Sequence, residues 1–184
     1  YGHTLAETFY GFSYDLDGNL PSMAAGRFSA VTDPDQAVDL MMPYAVDWGH
    51  YLVMNRTFYR LTPILCRDLA QRGFVFNDGG ANTVVVGARF MPDVALHLGF
   101  FTGAADVCLH FAAAHARQHG IPQIQCLFPS RSAGVKVALE ATAEHGYRYT
   151  QAPAQFIVME ARASSTWTSS ELKTREWGRG IQKL

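Results

Sequence analysis

The chain has 184 residues, of which 48% are hydrophobic and 17% are charged, and its formal net charge is −1. This composition is typical of a globular protein with room for one medium domain, or for one domain with tails. Because the chain has neither a basic surplus nor an acidic run, we expect no nucleic-acid partner and no solvating tail. It also contains no run of about 18 apolar residues, so we expect no membrane span, and we expect no signal peptide.

The first 32 residues are rich in glycine and aromatic residues. Tyr10, Phe12 and Tyr14 alternate with small residues, and this pattern predicts one face of a short strand. Residues 15–19 have the composition of a turn, and residues 28–31 predict a second short strand. The chain begins at a tyrosine rather than a methionine, which fits a fragment or a processed product of a longer protein.

Two amphipathic helices are predicted next. Asp33 and Pro34 have the chemistry of an N-cap followed by a first helical residue. Apolar spacing extends this helix over about residues 34–44, unless Pro43 ends it early. The aromatic-rich residues 47–59 are predicted to form an irregular loop, and its residues 47–51 are expected to contact either a ligand or a domain interface. A second helix follows, and Gly73 is its predicted C-cap.

The middle of the chain predicts three strands. Residues 74–76 begin a strand, and Asn-Asp-Gly-Gly at 77–80 is a strong hairpin signal. Residues 83–90 are the expected return strand. After a turn at 91–93, residues 94–98 predict the next strand.

The following segment predicts a strand, a glycine turn, a helix and another strand. Gly103 opens an alanine-rich helix that runs to about residue 118, and its apolar residues lie nearly all round, so it should be largely buried. His119 and Gly120 are expected to end this helix. The uncharged residues 121–128 predict a central strand that is covered on both faces.

The last part of the chain predicts one more helix, two strands and a tail. Ser130-Arg131-Ser132 either holds an anion or caps a helix that ends at residues 145–146. The last strands are expected at 147–149 and 154–161, before a polar tail.

The glycine turn at residues 103–105 is a natural place to hold a phosphate. Unpaired backbone N–H groups and the positive end of the helix dipole both point outward at such a turn. The alternative is a purely structural turn, because glycine turns before helices are common.

The order of elements over about residues 28–162 resembles the GNAT superfamily of acyl-CoA N-acyltransferases. Phe100-x-x-Gly103-x-Ala105 is similar to the family's acetyl-CoA pyrophosphate turn. Ala143-Glu144-His145-Gly146-Tyr147 is similar to a late segment in which a helix ends just before a strand. The resemblance implies an α/β fold with a mixed central sheet and helices on both faces.

A looser likeness to the C-terminal domain of two-domain proteins similar to histidine N-acetyltransferases implies a domain division. Residues 1–27 would be an N-terminal extension or the end of a preceding domain, residues 28–162 the GNAT-like domain, and residues 163–184 a C-terminal tail.

The resemblance also implies an activity and its site. The chain would be an acetyl-CoA-dependent N-acetyltransferase, or a domain of one, that acts on a small amine or amino acid. Gly103, Ala104 and Ala105 would bind the pyrophosphate of acetyl-CoA. The catalytic residues are unassigned, and two residues are candidates. His97 precedes the turn on its strand, and Thr142 stands where the family has a general-acid tyrosine.

Three residues depart from the family's pattern. Phe100 replaces an arginine or glutamine, so a polar contact to phosphate is lost. Asp106 would repel a pyrophosphate, and the Thr142 hydroxyl does not readily protonate a leaving thiolate. One alternative is therefore a catalytically silent domain of the same fold that serves assembly or substrate binding. Another is a structural subunit of a larger complex, partnered by a protein, a second domain or a second copy.

The remaining chemistry-bearing residues favour structural roles. Cys66, Cys108 and Cys126 are odd in number and far apart, so we expect buried free thiols in the cytoplasm or another reducing compartment. His115 and His119 have metal-capable spacing, but no third ligand lies within a turn of either, so we expect no metal site.

Overall fold

The computed structural model describes residues 3–16, 27–54, 57–88, 95–129, 148–151 and 156–161. Several predicted features lie outside these residues: Thr142, the 130–132 segment, the helix that it would begin, the 143–147 segment and the C-terminal tail at 163–184.

Within the described ranges the chain contains ten strands and three α-helices. The strands are β1 His3–Asp15, β2 Ser29–Ala30, β3 Tyr51–Met54, β4 Thr57–Arg60, β5 Val75–Asn77, β6 Thr83–Ala88, β7 Leu96–Thr102, β8 Gln123–Pro129, β9 Arg148–Gln151 and β10 Phe156–Ala161. The helices are α1 Pro34–Met41, α2 Pro63–Gln71 and α3 Ala105–Gln118.

Eight of the strands form one mixed sheet. Its order is β10-β1-β8-β7-β6-β5-β2, with β9 also paired to β1. Strands β7 and β8 are parallel and are joined through α3, whereas the other neighbours are antiparallel. The predicted α/β class with a mixed sheet is therefore confirmed, and so is the central position of the uncharged strand β8.

The N-terminal strand lies inside the sheet. Strand β1 is 13 residues long, much longer than the predicted short strand. It pairs with β8 along one edge and with β9 and β10 along the other. Phe12 and Tyr14 are buried on one face, as the alternation predicted, and their rings stack with centroids 6.1 Å apart.

The main correction concerns residues 47–59, predicted to be an irregular loop. Strand β3 and most of β4 fall within this range and form a hairpin, in which Tyr51 pairs with Arg60 and Met54 with Thr57. All four residues of β3 are buried. The sequence did not indicate this hairpin, because the two residues between its strands are Asn55 and Arg56. They do not have the glycine-containing sequence of a hairpin turn.

The end of the first helix follows the alternative in which Pro43 ends it early, whereas the end of β7 differs from the prediction. The first helix ends at Met41 and continues as a single 3₁₀ turn, Met42–Tyr44, because Pro43 has no N–H to donate to a preceding carbonyl. Strand β7 reaches Thr102, so Phe100 and Phe101 belong to the strand rather than to the turn.

The helix caps follow local chemistry. The Asp33 carboxylate accepts a hydrogen bond from the N–H of Asp35 at 2.9 Å, which confirms the predicted N-cap. Gly73 and Gly120 follow α2 and α3 in the left-handed region, at φ of 76° and 68°.

The two faces of the sheet carry different layers. Strand pairing places Phe76 on the face that also carries Leu98 and Cys126, and Phe76 packs against Phe111 of α3 with ring centroids 5.1 Å apart. We call the face of the sheet that carries these residues the helix face. The opposite face, the hairpin face, carries Phe9 and Leu127, which form a small apolar cluster with residues of the β3–β4 hairpin.

The hairpin approaches the sheet closely at Gly99. A Cβ at this position would lie 2.6 Å from the backbone oxygen of Val53, so Gly99→Ala is expected to lower the free energy of unfolding by about 2–3 kcal/mol. Gly87→Ala is the matched control, because its Cβ would meet only the flexible methyl end of Met54, and we expect a loss below about 1 kcal/mol. Urea unfolding measures both, and equal losses would contradict this packing.

Candidate functional site

The predicted phosphate turn has the expected backbone. Gly103 follows β7 in the left-handed region at φ 78°, and Ala104 is the N-cap of α3. Alanine has no side-chain acceptor, and Ala104 indeed makes no side-chain cap. The strand, the glycine turn and the helix therefore occur in the order that the sequence indicated.

A side chain from the loop between β5 and β6 occupies this turn. The Oδ1 atom of Asn82 accepts a hydrogen bond from the N–H of Ala104 at 2.7 Å. A Cβ on Gly103 would overlap the same oxygen and would lie 2.9 Å from the backbone oxygen of Ala81. One of the three amides predicted to bind a pyrophosphate therefore already has a partner within the chain.

Asp78 holds Asn82 in place. Its Oδ2 atom accepts from the side-chain amide of Asn82 at 2.6 Å, and its Oδ1 atom accepts from the backbone N–H groups of Gly80 and Asn82 at 2.9 and 3.2 Å. These hydrogen bonds, led by the one from the Asn82 side chain, lower the pKa of Asp78. The loop thus keeps a charged carboxylate beside the turn.

The base of this loop is also fixed. The side-chain amide of buried Asn77 donates to the backbone oxygens of Gly80 and Asn82, at 3.1 and 2.9 Å, and to Oγ1 of Thr83 at 3.0 Å. We call residues 77–82 the Asn82 loop. Its internal hydrogen bonds give Asn82 a defined position at the start of α3.

Two negative charges lie near the first turn of α3. Burial, and then the charges of Asp78 and Asp106, raise the pKa of Cys108 to about 12. Asp106 lies in the first turn of α3, and Asp78 is hydrogen-bonded to Asn82, which in turn accepts from the N–H of the N-cap residue Ala104. Their field opposes a bound pyrophosphate at the turn.

Phe100 is part of the core. Its side chain is fully buried, and its ring centroid lies 5.0 Å from that of Trp48. The indole N–H of Trp48 donates to the backbone oxygen of Phe101 at 3.0 Å. The position that carries an arginine or glutamine in the family's pattern is therefore filled by an aromatic core residue, and Trp48 has a packing role.

His97 is buried, with 1% of its surface exposed, and lies on the hairpin face. Five residues separate it from Gly103, and along an extended strand this corresponds to about 20 Å. The structure therefore does not bring this catalytic candidate to the predicted cofactor turn. The other candidate, Thr142, lies outside the described residues.

A row of polar side chains accompanies His97 and was not anticipated from the sequence. Strand pairing places Ser13, Asp15, Gln123 and Gln125 on the hairpin face beside it. The Gln125 side-chain amide donates to Oε1 of Gln123 at 3.1 Å, and the Gln123 amide donates to Oδ1 of Asp15 at 3.0 Å. We call these five residues the polar row.

Histidines 115 and 119 lie together on α3, with ring centroids 4.8 Å apart. Burial, and then the neighbouring His119, lower the pKa of His115. Across the part of the chain that the structure describes, no group of three or more His, Cys, Asp or Glu residues is placed to hold a metal ion.

The three cysteines are free and buried, as predicted. Burial raises the pKa of Cys66 to about 11 and the pKa of Cys126 to about 12. None of the three therefore has the lowered pKa of a nucleophilic thiol.

Alkaline pH is expected to destabilise the protein through these thiols. Above pH 9 the unfolded chain releases thiol protons that the folded chain retains, so stability is fully present below this pH and is lost between about pH 9 and 12. At pH 10 each thiol should contribute a loss of about 1 kcal/mol.

Urea unfolding across this pH range measures the effect, with Cys126→Ala as the comparison. Between pH 9 and 12 the free energy of unfolding of the variant should fall less than that of the original chain, by about the amount that one thiol contributes. An unchanged pH profile in Cys126→Ala would contradict the expected linkage.

A comparison with models of protein families found no match for this chain, and a comparison with curated proteins found none. Among the helices in the described ranges, none is long and apolar enough to cross a membrane.

Proposed function

We propose that this chain is a domain of an acyl-CoA-dependent N-acetyltransferase with the GNAT fold, in a protein that acts on a small amine or amino acid, and that this domain is catalytically silent. Its role is structural or substrate-binding within a larger assembly. The observation that carries the silent assignment is the hydrogen bond from the Ala104 N–H to the Asn82 side chain.

The fold assignment is supported by the unit that surrounds the turn. Strands β7 and β8 are parallel, α3 connects them, and Gly103 lies between β7 and the helix. This arrangement agrees with the family's pyrophosphate segment, as do the three helices beside a mixed sheet. The family resemblance supplies the acetyl-CoA chemistry and the small-amine substrate class.

Three features support the silent assignment. Asn82 takes one amide of the turn, Asp78 and Asp106 place negative charge beside it, and Phe100 is buried in the core. A pyrophosphate would have to displace Asn82 from Ala104 and approach two carboxylates, without a cation at position 100 to compensate.

Isothermal titration calorimetry of the intact protein with acetyl-CoA tests this proposal. We expect no detectable binding to the original chain. Binding that Gly103→Asp abolishes would overturn the silent assignment, since that change places a third carboxylate at the turn. Gly79→Asp is the matched control, because Gly79 also has a positive φ but has open space around it.

The second candidate is an active acetyl-CoA-dependent N-acetyltransferase. It is favoured by the parallel pair: β7 and β8 pair only over Leu96–Leu98 and Ile124–Cys126, although β7 continues to Thr102 and β8 to Pro129. The carboxyl ends of parallel strands are where α/β sheets hold ligands. This candidate predicts release of free CoA when the intact protein is incubated with acetyl-CoA and a suitable amine.

A further inference from the structure

We propose that the polar row binds a small protonated amine that carries further hydrogen-bond donors. The inference rests on the proposed function, because it locates the substrate-binding role on specific residues. It concerns a different part of the sheet from the Gly103 turn, so the two proposals fail in different experiments.

The row crosses the middle of the sheet on one face. Ser13 lies opposite Gln125 in the β1–β8 pair, and Gln125 lies beside His97 in the β7–β8 pair. Beyond β1, the backbone positions of Thr150 and Arg148 on β9 pair with Ser13 and Asp15. Buried sheet faces are normally apolar, so a buried histidine on β7 that is flanked by half-buried polar residues on β8 and β1 requires a specific reason.

The depth of the row suits a small ligand. On the hairpin face, Phe9 and Leu127 are packed against the hairpin, and the same strands then continue with the polar residues. Ser13, Asp15, Gln123 and Gln125 are half-buried, whereas His97 is buried. The row therefore has an accessible part and a deep end.

Hydrogen bonds within the row select the ligand's chemistry. Each glutamine donates through its side-chain amide, Gln125 to Gln123 and Gln123 to Asp15. Because Gln125 donates through its side-chain nitrogen, its side-chain carbonyl oxygen is an acceptor for a ligand. A carboxylate has about four lone-pair sites, so the single bond from Gln123 does not saturate Asp15. An ammonium group with additional N–H or O–H donors matches a site that is rich in acceptors and carries a carboxylate.

The test is an NMR titration of the ¹⁵N-labelled full chain with free amino acids, ethanolamine and putrescine, each added separately. We expect at least one of these amines to shift the side-chain amide signals of Gln123 and Gln125. The N-acetylated form of that amine keeps the carbon skeleton but loses the ammonium charge, and it should bind at least tenfold more weakly.

Variants locate the site. Asp15→Asn and Gln125→Leu should each weaken amine binding tenfold or more, and Ser13→Ala provides a milder change if either variant is unfolded. Gln118→Leu, at an exposed position in the last turn of α3, should bind as the original chain does. The proposal is overturned if no amine in the panel shifts the two signals, or if the folded variants of the row retain full affinity.

The amine titration and the acetyl-CoA titration test separate claims, and their results can be combined. Amine binding without acetyl-CoA binding supports both the polar row and the silent assignment. Acetyl-CoA binding that Gly103→Asp abolishes, with no amine binding, overturns both. The absence of both ligands overturns the polar row alone.

Discussion

Replacing Trp48 with alanine is expected to lower the free energy of unfolding by about 3–5 kcal/mol. The indole is 98% buried and packs on Phe100 and Phe101, with ring centroids 5.0 and 5.3 Å away. It also donates to the Phe101 backbone oxygen at 3.0 Å. The substitution leaves a cavity beside β7 and removes a buried hydrogen bond, and urea unfolding monitored by circular dichroism measures the loss.

Two comparisons separate these contributions. Trp48→Phe retains an aromatic ring but leaves the Phe101 carbonyl without its indole donor, and should cost about 1–3 kcal/mol. Tyr44→Ala removes an aromatic residue of the same segment that is 39% exposed, and should cost less than about 1 kcal/mol. A loss at Trp48→Ala no larger than at Tyr44→Ala would show that the indole is not part of the core.

The second large effect is expected at Gly103. Gly103→Ala should lower the free energy of unfolding by about 2–5 kcal/mol, as the sum of two causes. A non-glycine residue at φ 78° is strained by about 1–2 kcal/mol. The new Cβ would also overlap Asn82 Oδ1 and approach the Ala81 backbone oxygen to 2.9 Å, and such overpacking costs about 1–3 kcal/mol.

Gly73→Ala and Gly79→Ala isolate the contact from the strain. Both glycines have a similar φ, 76° and 80°, but no atom lies within 4 Å of the added Cβ. Each should cost about 1–2 kcal/mol. If Gly103→Ala costs no more than these controls, Asn82 does not occupy the turn, and the main support for a silent domain is lost.

A double-mutant cycle extends this test. Asn82→Ala removes the oxygen that the new Cβ would meet, so the cost of Gly103→Ala should be smaller in the Asn82→Ala background. Residues in contact usually show such non-additivity. Fully additive losses would indicate that the two residues do not interact.

The local elements were predictable from neighbouring residues. Asp33 and Pro34 indicated the start of α1, Gly73 and Gly120 the ends of α2 and α3, and the uncharged run a central β8. Each of these features depends on side-chain and backbone chemistry within a few residues, which a single sequence displays directly. The β3–β4 hairpin was missed because the sequence between its strands, Asn55-Arg56, contains no glycine and so gives no hairpin signal.

The candidate site was predictable only in its backbone. The turn at Gly103 was visible, but Asn82, which bonds to Ala104, lies 22 residues earlier, with strands β6 and β7 in between. The polar row combines residues more than 100 positions apart, such as Asp15 and Gln123. Alternating polarity in each strand does not reveal which residues of other strands will lie beside it, because register between distant strands is a tertiary property.

The sequence by itself therefore determined the α/β class, the N-cap of α1, the glycines that follow α2 and α3, the buried thiols and the glycine turn before α3. All of these follow from composition, periodicity and the conformational freedom of glycine and proline. Only the tertiary structure decided that β1 lies inside the sheet, that Trp48 and Phe100 form part of the core, and that Asn82 fills the turn at Gly103. These contacts join distant segments, and they depend on packing and register, which local residue preferences do not specify.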